Sequence, residues 1–272
     1  MSTPGAEAGR GAAACRAAAF FDLDKTVIAA SSALAFSRPF FQGGLINRRG
    51  VLRSAYAQLV FAASGADAEQ VARMRAHLTS LCTGWDVAQV RSIVEEALHD
   101  VVDPLVYAEA AALVAEHRAD GRDVVIVSAS GAEIVAPIAR MIGATHSVGT
   151  EMVAVDGRYT GEIAFYCYGP QKAAAVRELA ERNGYDLAAS HAYSDSSTDL
   201  PMLEAVGHPS VVNPDRGLRK VAVERQWPVL TFSKPVPLRG RSGTAIGIGI
   251  GAVATVATAG AAWYGLQRRR RR

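Results

Sequence analysis

The chain has 272 residues, half of them hydrophobic and 51 of them alanine. That length can bury a substantial core in one large or two modest domains. With 20% charged residues and no repeat or Pro/Ser-rich tract, an intrinsically disordered chain is excluded. The net charge of +3 is unevenly placed: from Lys234 onward there are eight basic and no acidic residues, so residues 1–233 carry a net −5. A mildly acidic body argues against a nucleic-acid surface.

Residues 1–16 are Ala/Gly-rich and read as a flexible N-terminus, with one early Arg10 and no apolar h-region before Asp22. Residues 17–23 (AAAFFDL) form a short apolar run ending in acids, the pattern of a buried strand. From about residue 33 to 121 the apolar spacing turns helical, over 68–81, 87–101 and 105–118, with breakers at Gly84 and Pro104. Gly43-Gly44 reads as a further helix breaker. After Gly121 the rhythm is strand–helix. VVIV at 124–127 precedes a helix over 132–142, and 152–155 and 159–165 form a hairpin about Asp156-Gly157. A helix over 171–183 and strands near 192–193, 209–212 and 229–232 complete it. Such alternation predicts an α/β fold, a parallel sheet covered on both faces, with an all-helical insertion after the first strand. Cys15, Cys82 and Cys167 show no disulfide or metal-ligand spacing, which fits a reducing compartment, and Cys167 has no histidine near in sequence to make it a nucleophile.

Three polar clusters fall just past strand ends, where open parallel sheets bind ligands. Asp22-Leu23-Asp24-Lys25-Thr26 places two carboxylates two residues apart, able to hold a divalent cation and divide attack from proton handling, or to make an Asx-capped turn. Ser128-Ala129-Ser130-Gly131 offers a hydroxyl and backbone N–H groups at a helix start, suited to a phosphate or to an ordinary cap. Ser194-Asp195-Ser196-Ser197-Thr198-Asp199 sets carboxylates four apart around a hydroxyl-rich loop, a metal site or a helix start. Lys172, in the first turn of a helix begun by Gly169-Pro170, opposes the helix dipole, for which a bound phosphate is one reason.

Together FFDLDKTV, VIVSAS, Lys172 and YSDSSTDLPML resemble the four motifs of the haloacid dehalogenase superfamily of phosphatases, over roughly residues 17–232. The helical insertion looks like the cap of the phosphoserine-phosphatase-like branch. The resemblance implies a Rossmann-like core over 17–32 and 116–233 and a cap over 33–115. It implies a Mg²⁺-dependent phosphatase in which Asp22 attacks to form an aspartyl-phosphate and Asp24 handles the proton. Ser128 and Lys172 would bind the phosphoryl group. Asp22, Asp195 and the Asp24 carbonyl would ligate Mg²⁺, with Thr26 and Asp199 in support. Two departures stand out. Ser194 replaces the usual glycine, and residues 27–32 (VIAASS) lack the glutamate that binds the ammonium in serine-specific relatives, so phosphoserine is doubtful as the substrate. The cap instead offers Arg38, Arg48, Arg49 and Arg53, either for an anionic leaving group or as a solvated face. The alternatives are a phosphotransferase on the same fold and a non-catalytic, membrane-bound phosphate-binding regulator.

A linker (234–242) leads to a hydrophobic helix (243–267) and a basic tail (268–272). Residues 243–266 carry no formal charge, long enough to cross a ~30 Å hydrocarbon core. Trp263 and Tyr264 suit an interface, Gly247 and Gly251 a close helix approach, and Arg268 to Arg272 anionic headgroups. Sixteen of the 24 are Gly, Ala or Thr, so a flexible tail is the competing reading. Five arginines outside would break the positive-inside rule, which favours a helix lying on the cytoplasmic side of a bacterial cell membrane.

Overall fold

The computed structural model describes residues 16–46, 79, 82–233 and 235. Seven strands are β1 (Ala18–Phe21), β2 (Asp123–Gly131), β3 (His146–Val155), β4 (Arg158–Phe165), β5 (His191–Ser194), β6 (His208–Val212) and β7 (Val229–Leu230). They form one sheet in the order β4-β3-β2-β1-β5-β6-β7. β1 is central because all four of its residues are apolar and buried, as a strand covered on both faces requires. Successive side chains leave opposite faces. Ala19 and Phe21, with Val124 and Ile126 of β2, join one apolar cluster, while Ala18 and Phe20, with Val125 and Val127, join the other.

Eight helices are described: α1 (Ser32–Ala35), α2 (Ser37–Gln42), α3 (Val87–Val102), α4 (Ala108–Ala119), α5 (Ala132–Met141), α6 (Pro170–Asn183), α7 (Leu200–Leu203) and α8 (Arg216–Glu224). α2 to α5 supply the cluster on the Phe21 face and α6 to α8 the cluster on the Phe20 face. α3 starts where the Asp86 carboxylate accepts from Gln89 N–H, and α2 stops at Gly43, followed by Gly44 at φ 78°.

The expected hairpin forms one edge of the otherwise parallel sheet. β4 runs antiparallel to β3, and the Asp156-Gly157 turn joining them has positive φ at both residues (50° and 75°), the geometry of a two-residue hairpin. β3 also begins at His146, where it pairs in parallel with β2 before turning out into the hairpin. α4 starts at Ala108 because Pro104 sits in a separate 3₁₀ turn, Asp103–Leu105. The expected helix over 68–81, Arg48, Arg49, Arg53 and the whole C-terminal segment lie outside the described residues. Among the described residues no helix is long and apolar enough to cross a membrane.

His117 of α4 is buried between Tyr193 and Arg122. Its Nδ1 accepts from Arg122 Nη1 at 2.9 Å and its Nε2 meets the Tyr193 hydroxyl at 2.8 Å, which suits a neutral ring. Burial, with His191 and Arg122 adding to it and Asp120 opposing, pushes His117 down to about 4. The folded form therefore excludes a proton that the unfolded chain accepts near pH 6.5. Stability from this residue is complete above about pH 6.5 and is lost as pH falls toward 4, by about 2 kcal/mol at pH 5. In denaturant unfolding at pH 7 and pH 5, wild type should lose about 2 kcal/mol more than His117→Gln, and that difference isolates this residue's contribution from the other groups titrating in the range.

Candidate active site

The parallel registers set three loop starts side by side. Phe21 of β1 pairs with Ile126 of β2 on one side and Tyr193 of β5 on the other, and Asp22 N–H donates to the Tyr193 carbonyl at 2.9 Å. Asp22, Ser128 and Asp195 therefore emerge at one edge of the sheet. From the next element, Lys172 reaches in. Gly169 takes φ 55°, ψ −125°, a conformation that favours glycine, and Pro170 starts α6 directly after it.

Lys172 Nζ donates to Asp22 Oδ1 at 2.6 Å and to Asp199 Oδ2 at 2.7 Å, and all three side chains are buried. The lysine that opposes its helix dipole is thus explained by two carboxylates. Asp199 Oδ2 also accepts from the buried Ser194 hydroxyl at 2.7 Å. The serine that stands in place of glycine therefore adds a donor to the ion-pair network.

Asp24 turns to other partners: its Oδ1 accepts from Ser32 N–H at 2.9 Å and its Oδ2 from the Ser130 hydroxyl at 3.3 Å. Ser128 requires a correction, because it lies within β2 and not at a helix start. α5 begins only at Ala132, with Gly131 as its cap residue. The buried Ser128 hydroxyl accepts from Ser130 N–H at 3.2 Å. Thr26 is buried, and its hydroxyl lies 3.5 Å from Asp195 Oδ1, so it faces the third acidic loop rather than Asp22.

Asp215 was missed by the sequence reading. Its carboxylate accepts from Ser197 and Leu218 N–H groups, both at 2.7 Å, and its own N–H donates to the Asp195 carbonyl at 2.8 Å. It caps α8 and pins the 195–199 loop in one stroke. An acidic residue three before the first apolar position of an amphipathic stretch was the available signal. Arg38 is exposed on α2. Burial pushes the Cys167 thiol up to about 12, which leaves it unreactive.

One ammonium does not offset this many acids. Burial alone would lower the Lys172 pKa, but Asp199 and Asp22 hold it above the usual lysine range, so it remains charged. Burial, with Asp199, Asp195 and Asp24 adding to it, keeps Asp22 well above the usual carboxylate range despite Lys172. Burial likewise raises Asp195 to about 7, with exposed Lys25 opposing and Asp199 adding to the rise. Among the described residues no three acidic, histidine or cysteine side chains form a closed metal cage. The candidate set is two carboxylates, Asp22 and Asp195, with the Asp24 carbonyl. An all-oxygen set with surplus negative charge fits Mg²⁺, which keeps several of its own waters.

The sequence matches the haloacid dehalogenase-like hydrolase family over residues 19–204. The chain belongs to that family. It is 63% identical to a "Probable phosphatase" of Mycobacterium tuberculosis, covering 98% of this chain and 93% of that protein. It is 36% identical to the phosphoserine phosphatase SerB1 of the same organism, covering 89% and 80%. A protein of unknown function from Bordetella pertussis Tohama I superposes with a TM-score of 0.69 at 30% identity, covering 79% and 98%. This haloacid dehalogenase-like hydrolase is accordingly a phosphatase on the phosphoserine-phosphatase-like branch.

Among the described residues, Lys172 is the one cation shared by two buried acids. Lys172→Met should cost about 3–5 kcal/mol in chemical denaturation, because it leaves Asp22 and Asp199 buried and uncompensated. Adding Asp22→Asn to that variant should recover part of the loss.

Proposed function

We propose that the enzyme is a Mg²⁺-dependent phosphatase that hydrolyses a small phosphate monoester through an aspartyl-phosphate on Asp22. The observation that carries this is the Lys172 bridge, which fixes Asp22 Oδ1 and orients the carboxylate at the sheet edge, beside Ser128. A carboxylate oxygen of Asp22 attacks phosphorus while the bond to the leaving oxygen breaks, and Asp24 delivers a proton to that oxygen. Asp24 then takes a proton from the water that attacks the phosphoryl group, releasing phosphate and restoring Asp22. Ser128 and Lys172 receive phosphoryl oxygens, and Asp199 holds Lys172 in place. Mg²⁺ on Asp22, Asp195 and the Asp24 carbonyl would supply neutralisation of phosphoryl charge.

The division of labour follows from the partners. The Lys172 ammonium favours the Asp22 anion against the burial and neighbouring acids that raise it, and Mg²⁺ would add to that. Asp24 is raised by burial, with only the neutral Ser32 and Ser130 donors among its hydrogen-bond partners opposing. The leaving group is not assigned to phosphoserine. In the stretch where serine-specific relatives carry a glutamate, residues 27–32 of this chain hold no acid, and Ser32 is engaged with Asp24. The phosphotransferase reading would be favoured by product that appears only with an added acceptor.

With p-nitrophenyl phosphate, activity should require Mg²⁺ and vanish with a chelator. Asp22→Asn should abolish turnover. Asp24→Asn should lose ~10²–10⁴-fold of kcat toward alkyl phosphates with an unchanged unfolding midpoint. Mg²⁺-independent activity, or activity retained in Asp22→Asn, would refute the assignment.

The segment 243–267 and the arginines after it support a second proposal, attachment to the cytoplasmic face of a bacterial membrane. Full-length protein should co-sediment with anionic vesicles at low salt, and a chain ending at Phe232 should not. Identical soluble behaviour of the two would end that proposal.

A further inference from the structure

Ser32 opens α1, the first helix after β1, and is fully buried. Ser130 lies near the end of β2, 98 residues away in sequence, yet the two hydroxyl oxygens are 2.6 Å apart. A serine hydroxyl has one proton to give. Ser130 gives its proton to Asp24 Oδ2, so across the short contact Ser32 is the donor and Ser130 the acceptor. The donors run Ser32 to Ser130 to Asp24, while the Ser32 N–H takes the other carboxylate oxygen. Both oxygens of Asp24 are gripped, so the group cannot rotate without breaking a hydrogen bond. Each oxygen keeps a second lone pair, where a transferable proton can sit.

We propose that Ser130 and Ser32 are positioning residues for Asp24, fixing the direction in which its proton reaches the leaving oxygen. This rests on the proton-handling role of Asp24 given above. Neither residue touches the phosphoryl group in that scheme. Both act through the carboxylate they hold, and a small displacement of an acid from its line of transfer costs rate steeply.

The test compares two leaving groups. p-Nitrophenolate departs without a proton, whereas an alkoxide needs one. Ser130→Ala should lower kcat/KM for an alkyl phosphate such as propyl phosphate by about 10–100-fold, part of what general acid catalysis contributes, and leave p-nitrophenyl phosphate nearly unaffected. Ser130→Thr, which keeps the hydroxyl, should restore the alkyl substrate. Ser32→Ala should show the same selectivity more weakly and add nothing in the Ser130→Ala background, as members of one chain should. Equal losses on both substrates, or none, would overturn the inference while leaving the phosphatase assignment in place. If Asp24→Asn itself shows no selectivity between leaving groups, or wild-type enzyme turns over neither substrate, the role of Asp24 falls and the inference falls with it.

Discussion

The structure depends on a charge that cannot be buried alone. Asp22, Lys172 and Asp199 are each almost fully withdrawn from water, and an isolated ammonium or carboxylate in that position would be prohibitively desolvated. Each carboxylate is tolerable only because the Lys172 ammonium lies within 2.6–2.7 Å of it, and the ammonium only because both carboxylates do. The three come from the end of β1, the first turn of α6 and the loop after β5, so the ion-pair network fixes the relative placement of three segments. Buried ion pairs contribute little net stability, and what this one supplies is geometry. It holds a carboxylate oxygen at the edge of the sheet and keeps a cation where a phosphoryl group would arrive.

That geometry is available because β1 lies between β2 and β5 in a parallel register. The four apolar residues of β1 divide their side chains between two cores, so the strand cannot slip by one residue without moving every side chain to the wrong face. The register is thereby fixed, and with it the position of Asp22 next to the ends of β2 and β5. Asp215 performs the matching task on the far loop, holding Ser197 and the Asp195 carbonyl together. Burial, compounded by surplus negative charge, is the remaining tension, expressed in the raised Asp22 and Asp195, and a divalent cation on oxygen ligands would relieve it.

Much of this was legible in the chain itself. Continuous apolar runs marked β1 and the middle of β2, the Asp-Gly pair marked the hairpin, and helical spacing marked α3, α5 and α6, since burial on one or both faces writes a period into the sequence. The start of β3 was not visible, because His146 and Ser147 are polar and only half-buried. α8 was missed because its charged exterior hides a stripe of two buried residues, Leu218 and Ala222. In the site, the residue types and their order disclosed Asp22, Asp24, Ser128, Lys172, Asp195 and Asp199. Spacing could not disclose which partner each would find. That Lys172 answers to Asp22 and that Ser32 meets Ser130 are tertiary facts, made by segments far apart in sequence, and that Ser194 donates to Asp199 depends on how one loop folds back on itself.

The claim at the centre is that the Lys172-held carboxylate of Asp22 is the atom that takes the phosphoryl group. Its most direct test is mass spectrometry of peptides from enzyme quenched in acid during turnover of a phosphate monoester with Mg²⁺. The account predicts one phosphoryl group on the peptide containing Asp22, removed by hydroxylamine as an acyl phosphate is. A phosphoryl group found on Ser128 instead, or turnover with no covalent adduct on Asp22 at any quench time, would contradict it.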